Sequence, residues 1–243
     1  MTTKVARTSR GRLGVSFTLF TLLMVAVAVG LGVWQLQRLA WKEALIADLQ
    51  TRSTGPATAL PTGVFDEEAM LYRPYRLEGR LYPARSLNLL SRLNAGQPGR
   101  HIVTPLELDD GRVVLIDRGW VPLDWAPTGP NEPRAMTIEA LARRGGWHSS
   151  EWLKPANDAA ANAWIWLDLP AMAEAVGLPN VESSLYFAAR AEQEPGAYPI
   201  GGRTRVTLKN DHLEYALTWF GLALAFCVTY ILLKRRRATS ASL

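Results

Sequence analysis

Two uncharged apolar runs constrain this chain more than anything else in it. Residues 13–33 make 21 positions without a charge, and residues 215–233 make 19. A helix needs ~20 such residues to cross the hydrocarbon of a bilayer. Irregular backbone in contact with lipid would leave polar groups unpaired, so a helix is the expected form. Both runs read as membrane spans, over 13–33 and 213–233. Basic residues flank each run on the side away from the middle of the chain: Lys4, Arg7, Arg10 and Arg12 before the first, KRRR at 234–237 after the second. Under the positive-inside rule both basic tips, 1–12 and 234–243, stay in the cytoplasm. Residues 34–212 then form a domain on the opposite side, periplasmic or its intermembrane-space equivalent. Ala26-Val27-Ala28 raises the alternative of a cleaved signal peptide. The run continues past it, however, and the WQLQR that follows has the character of an interfacial anchor. Only 12 residues precede the first span, which favours a bacterial inner membrane over a mitochondrial one.

Charge mapping excludes one class of partner. Taking the eight terminal basic residues from the total of 27 leaves 19 against 22 acids. The middle is mildly acidic, so nucleic acid, which needs a basic patch on the folded domain, is not an expected partner. The single cysteine, Cys227, lies in the second run and reads as a small core hydrophobe.

Between the spans, residues 35–50 continue the helix, and RSTGPATALPTG (52–63) breaks it with Gly and Pro. Beyond that the period shortens to two. LYRPYRLEGRLYPARSLNLL (71–90) reads as two strands turning near Gly79. HIVTPLELDDGRVVLIDRGWVP (101–122) reads as a hairpin with Asp109-Asp110-Gly111 at its turn. Further strands are expected at 135–143, 184–192 and 201–209, with a short helix from Asp168 to Gly177. The expected fold class is α+β: two transmembrane helices flanking a mostly antiparallel β domain, closing toward a barrel to hide its edges.

No catalytic signature appears: GxSxG, GxxxxGK[ST], HExxH and CxxC are all missing. An enzyme is therefore not expected. Of the three histidines, His101 and His148 fall in the middle domain, too few for a structural zinc site. Asp117-Arg118-Gly119-Trp120 invites a catalytic reading. Neighbours on a strand point to opposite faces, so the expectation is separate cross-strand partners with Gly119 at a bulge.

The membrane-proximal residues are more informative. The first span ends and the second begins on the same side, so Trp34, Gln35, Arg38, Trp41 and Lys42 share a level with His212, Tyr215 and Trp219. His212, Tyr215, Ala216, Trp219, Ala223 and Phe226 fall on one helical face, and the two alanines would leave a recess between aromatics. An imidazole above an aromatic recess, with Arg38 and Lys42 one layer out, suits a haem: nitrogen for the iron, rings for the macrocycle, cations for the propionates. Two plainer readings stand beside it. Trp and Tyr at membrane interfaces are ordinary anchors, and Asp211 with Glu214 fits a helix cap. Ala26/Gly30, Ala28/Gly32 and Gly221/Ala225 offer small-residue pairs for helix packing.

GVWQLQRLAWKEALI (32–46), YRPYRLEGR (72–80), HIVTPLEL (101–108), VLIDRGWVP (114–122) and NDHLEYALTWF (210–220) together resemble the surfeit-locus assembly factors of cytochrome c oxidase. The resemblance implies two membrane helices around an extracytoplasmic domain and a non-enzymatic role in building the haem-copper oxidase. It also implies transient binding of haem a for insertion into subunit I. Its partners would be that subunit, other oxidase assembly factors, haem a synthase and membrane lipid. The family's proposed ligand, in its NxHxxYAxTWF segment, corresponds to His212, the expected axial ligand of the iron. Tyr215, Trp219, Trp34, Arg38 and Lys42 complete the expected site, with His101 a remote second-ligand candidate. Asp211 stands where many relatives have Asn or another polar residue. A haem-free scaffold that binds oxidase subunits is the alternative function.

Overall fold

The computed structural model describes residues 6–147, 149–190, 197–202 and 210–239, with side chains from 15 to 236. Helix α1 runs unbroken from Ala6–Thr54 and stops where Gly55-Pro56 removes both helical propensity and a backbone donor. Helix α4 spans His212–Thr239. Both are long and apolar enough to cross a membrane. Their large apolar side chains face outward along most of the length, with Leu19, Leu22, Leu217 and Leu224 all more than half exposed. A helix from a soluble core would bury such residues; lipid is the medium that suits them. The chain divides into two units. The described residues of 1–47 and 207–243 form a helical unit, and those of 48–206 form a β unit.

The β unit is built on a closed ring of five strands: β2 (Pro74–Leu81), β6 (Arg134–Arg144), β8 (Val181–Ala189), β5 (Val113–Pro122) and β4 (Gln97–Leu108). Three further strands extend it: β1 (Thr58–Ala59) on β2, β3 (Leu87–Asn94) on β4, and β7 (Ala163–Trp164) on β3. Most pairings are antiparallel, as expected, but β5–β8, β1–β2 and β3–β7 are parallel.

Gly79 closes the ring. It is not a turn, as the sequence suggested, but lies inside β2, where the strand pairs with β6 on one side and with β4 on the other. A Cβ there would collide with the Glu107 carbonyl, so glycine marks a close approach of two backbones. The actual break between β2 and β3 is at Pro83–Arg85, a short 3-10 turn.

Alternation then sorts the side chains. Leu185, Phe187 and Ala189 of β8 face the barrel interior, where Phe187 meets Phe65 and Tyr75 edge-on at 6.0 and 6.3 Å. Tyr186 and Ala188 face outward into a second core, covered by α3 (Leu169–Val176) through Leu169, Met172 and Val176. Helix α3 starts and stops where its caps dictate. The Asp168 side chain accepts from Ala171 N, and Gly177 ends it in the left-handed region. The Asp109-Asp110-Gly111 turn joins β4 to β5 as expected, with Arg112 folded back onto the Asp110 carboxylate. Helix α2 (Glu67–Met70) is a single turn capped by Asp66. Of the last expected strand, residues 203–209 lie outside the described residues, as does His148.

Candidate functional site

In the helical unit, α1 buries Thr21, Ala28, Gly32 and Gln35, spaced seven, four and three residues apart. That spacing is a narrow stripe along one helical face. Helix α4 answers with Ala216 and Ala223, seven apart. At Gly32 a Cβ would sit 2.6 Å from the Phe220 ring, so the missing side chain is what lets α4 approach. The two helices run antiparallel, and a polar pair closes the seam near each end. Thr18 Oγ1 lies 2.9 Å from Tyr230 Oη, with Phe17 stacked on the same ring at 5.9 Å. At the other end His212 Nδ1 lies 2.7 Å from Gln35 Oε1.

These contacts revise the expected recess. Ala216 and Ala223 do not open a groove between aromatics; they are the seam itself, 1% and 6% exposed. Of the small-residue pairs, Ala28/Gly32 packs as expected. Gly30 and Gly221 have open space where a Cβ would go.

His212 is the first residue of α4, directly after Asp211, whose carbonyl accepts from Tyr215 N at 3.3 Å. Asp211 therefore occupies the N-cap position and Glu214 lies in the first turn. Tyr215 is exposed and Trp219 half-buried, three and seven residues along the same helix. On α1, Trp34 adjoins Gln35 and is exposed. Arg38 lies one turn on, its guanidinium 3.9 Å above the Trp41 ring, and half-buried Lys42 a further turn along. Gln35, Arg38 and Lys42 share a helical face by spacing. Gln35 and His212 make a direct contact between the two helices at this level. Gln35 was not among the expected ligand-contacting residues. Its signal in the sequence was a lone amide continuing the Ala28/Gly32 stripe.

The chemistry open to His212 turns on that bond. An amide oxygen can only accept, so a neutral His212 facing it would donate from Nδ1 and keep its lone pair on Nε2. Aromatic rings stand nearby in sequence on either helix, and two cations, Arg38 and Lys42, on α1. One imidazole nitrogen, aromatic surface and cations form a donor set that fits a haem, which brings four equatorial nitrogens of its own. Among the described residues no group of three His, Cys, Asp or Glu is placed to chelate a bare ion.

In the β unit, Asp117 and His101 pair across β5 and β4, with Nδ1 2.9 Å from Oδ2 and 3.1 Å from Oδ1. Asp117 is buried and also accepts from Gly119 N at 3.0 Å. Two steps on β4, His101 to Val103, face three steps on β5, Asp117 to Trp120, so the expected bulge is present. Gly119, at φ +117°, supplies its backbone. His101 is thus held on β4 through Nδ1. Arg118 faces the other way, and burial with the nearby Arg134 charge pulls its guanidinium down to about 10. Both arginines line a cleft of about 650 Å³ with Trp125 and Tyr198, formed wholly by the β unit and touching none of the expected site residues.

Comparison with known proteins bears on all of this. The SURF1 family model matches residues 22–224. Surfeit locus protein 1 of Mus musculus is 35% identical over 224 residues, covering 85% of this chain and 72% of the mouse protein. The Homo sapiens protein of the same name is 32% identical over 231 residues, 86% of this chain and 75% of its own. A SURF1-like protein of Rickettsia felis is 30% identical over 230 residues, 89% and 96% respectively. With most of its length matched by the family model and by relatives from bacteria to mammals, the chain belongs to the SURF1 family.

Proposed function

We propose that the protein is a membrane-anchored assembly factor for cytochrome c oxidase that holds haem a during its insertion into subunit I. His212 Nε2 meets the iron, Trp34, Tyr215 and Trp219 cover the macrocycle, and Arg38 and Lys42 meet the propionates. The cargo supplies the redox-active iron of the finished oxidase; the chain supplies a binding surface and no turnover. Its setting is a bacterial inner membrane, or the mitochondrial equivalent, with both termini cytoplasmic and the β unit on the other side. Subunit I, other assembly factors and haem a synthase are the expected partners. The observation that supports the reading is the Gln35–His212 bond at the end of a membrane-length helix: an acceptor at Nδ1 would free Nε2 for a metal, and exposed Trp34 and Tyr215 lie within three residues along either helix.

A haem-free scaffold is the second reading, and the same bond is what favours it. A polar pair between two membrane helices is also ordinary packing glue. The two separate in a visible spectrum of protein purified from cells that make haem a. The haem reading expects a Soret band in the wild type and its loss in His212→Ala. No band in the wild type sinks it, and an unchanged band in His212→Ala removes His212 as the ligand.

A further inference from the structure

We infer that Gln35 is the positioning residue of this site: its carboxamide fixes the His212 ring in the Nδ1–H tautomer and so presents Nε2 to an incoming metal centre. Only the identity of that centre rests on the haem reading above. The geometry is specific. Gln35 Oε1 lies 2.7 Å from Nδ1, and the Gln35 residue is 9% exposed within the seam. Its place is set from below by Gly32, three residues earlier, where Phe220 packs against bare backbone. The amide acts from a rigid helix interior on a residue that begins its own helix. Without it, His212 would sit at a helix end with its ring free to turn.

The tautomer matters because an unconstrained histidine side chain prefers its proton on Nε2, the nitrogen that would have to bind. An acceptor at Nδ1 reverses that preference and orients the ring, as hydrogen-bond acceptors behind metal-binding histidines do. The nature of the acceptor sets the strength. A carboxylate behind the ring would add anionic character and tighten ligation of ferric iron. A neutral amide orients without that push, which suits a carrier that has to release its cargo. Gln35→Leu and Gln35→Glu should therefore move retention in opposite directions.

The decisive measurement needs no haem. In full-length protein labelled with ¹⁵N-histidine and held in lipid bilayers, the His212 signals are identified by their loss in His212→Ala. Nδ1 is expected at the protonated shift and Nε2 at the unprotonated one, with Gln35→Leu moving proton density to Nε2. Nε2–H in the wild type, or a tautomer unmoved by Gln35→Leu, overturns the inference. Stopped-flow transfer of haem to an apo-globin gives the second readout. Gln35→Leu should release it about tenfold faster, in line with lost support behind a metal-binding histidine. Gln35→Glu should release it more slowly and lower its midpoint potential. Faster release from Gln35→Glu overturns the inference even if Gln35→Leu fails to fold. A wild type that takes up no haem sinks the haem reading alone, and the tautomer still decides the role of Gln35.

Discussion

Tyr186 shows how much a single buried group can say about this barrel. It faces outward on β8, 6% exposed, opposite Arg143 on β6 and near the charges of Arg92 and Asp117. Burial is the main influence on its phenol and, against the pull of Arg143, pushes it up to about 12. The folded state therefore holds this proton more tightly than the unfolded chain, where tyrosine titrates near ~10. The stability this group contributes is complete below pH ~10 and is lost as pH climbs toward the folded value, a change of about 3 kcal/mol. Tyr186→Phe keeps the ring and removes the titration, so its alkaline limb should be flatter. Urea unfolding of both proteins at steps from pH 8 to 12 measures this, and identical alkaline losses would assign the effect to another group. At this same scale the sequence was uneven. His212 stood out because a titratable ring at the edge of hydrocarbon is rare. Asp117 was correctly read as a cross-strand partner, since the strand period forbids pairing with Arg118. Gln35 did not stand out, because an amide in a helical run becomes informative only once the neighbour it faces is known.

Helices and hairpins were legible where local chemistry decides them. Asp168 and Gly177 bound α3, and Asp-Gly turns β4 into β5, because caps and turns act over four residues. Gly79 misled for the opposite reason: the backbone it accommodates belongs to a strand nearly 30 residues away. The helix seam divides the same way. Small residues announced that α1 and α4 pack, but not which of two adjacent stripes does so. Gly30 and Gly32 make that choice testable, being two residues apart on one helix. Gly32→Leu drives a side chain into Phe220, and overpacking of this kind costs about 1–3 kcal/mol. At Gly30 an added Cβ meets nothing within 4 Å, so Gly30→Leu should cost far less. Unfolding by SDS titration from lipid-detergent micelles separates them, with an equal loss in both placing the seam elsewhere. Because the seam carries Gln35 toward His212, Gly32→Leu should also weaken any Soret band seen in the wild type.

For the whole molecule, the pattern of two apolar runs around a period-two middle was enough to give an α+β chain with a β unit between two membrane-length helices. Barrel closure was less visible. It depends on β2 reaching β4, and on β8 lying parallel to β5, neither of which leaves a local mark. Orientation across the membrane is a matter of charge, and the proposed placement of both ends in the cytoplasm rests on the basic tips at 1–12 and 234–237. Cys227 is the chain's sole thiol, so a Cys227→Ser background gives a clean reporter. Val64 is 99% exposed in the β unit, and Val64→Cys in that background should react with an impermeant maleimide in intact spheroplasts. Ser242→Cys, beside the second basic cluster, should react only after the membrane is opened. Labelling of Ser242→Cys in sealed cells would reverse the topology. An amino-terminal tag missing from the membrane-bound protein would show instead that Ala26-Val27-Ala28 is cut. A cut there would remove the part of α1 that bears Phe17, Thr18 and Thr21. Tyr230 would lose Thr18 and Phe17 and keep Lys234, while Gly32 and Gln35 would stay with α4. Retention of the tag thus also decides whether the polar pair at the far end of the seam exists in the mature protein.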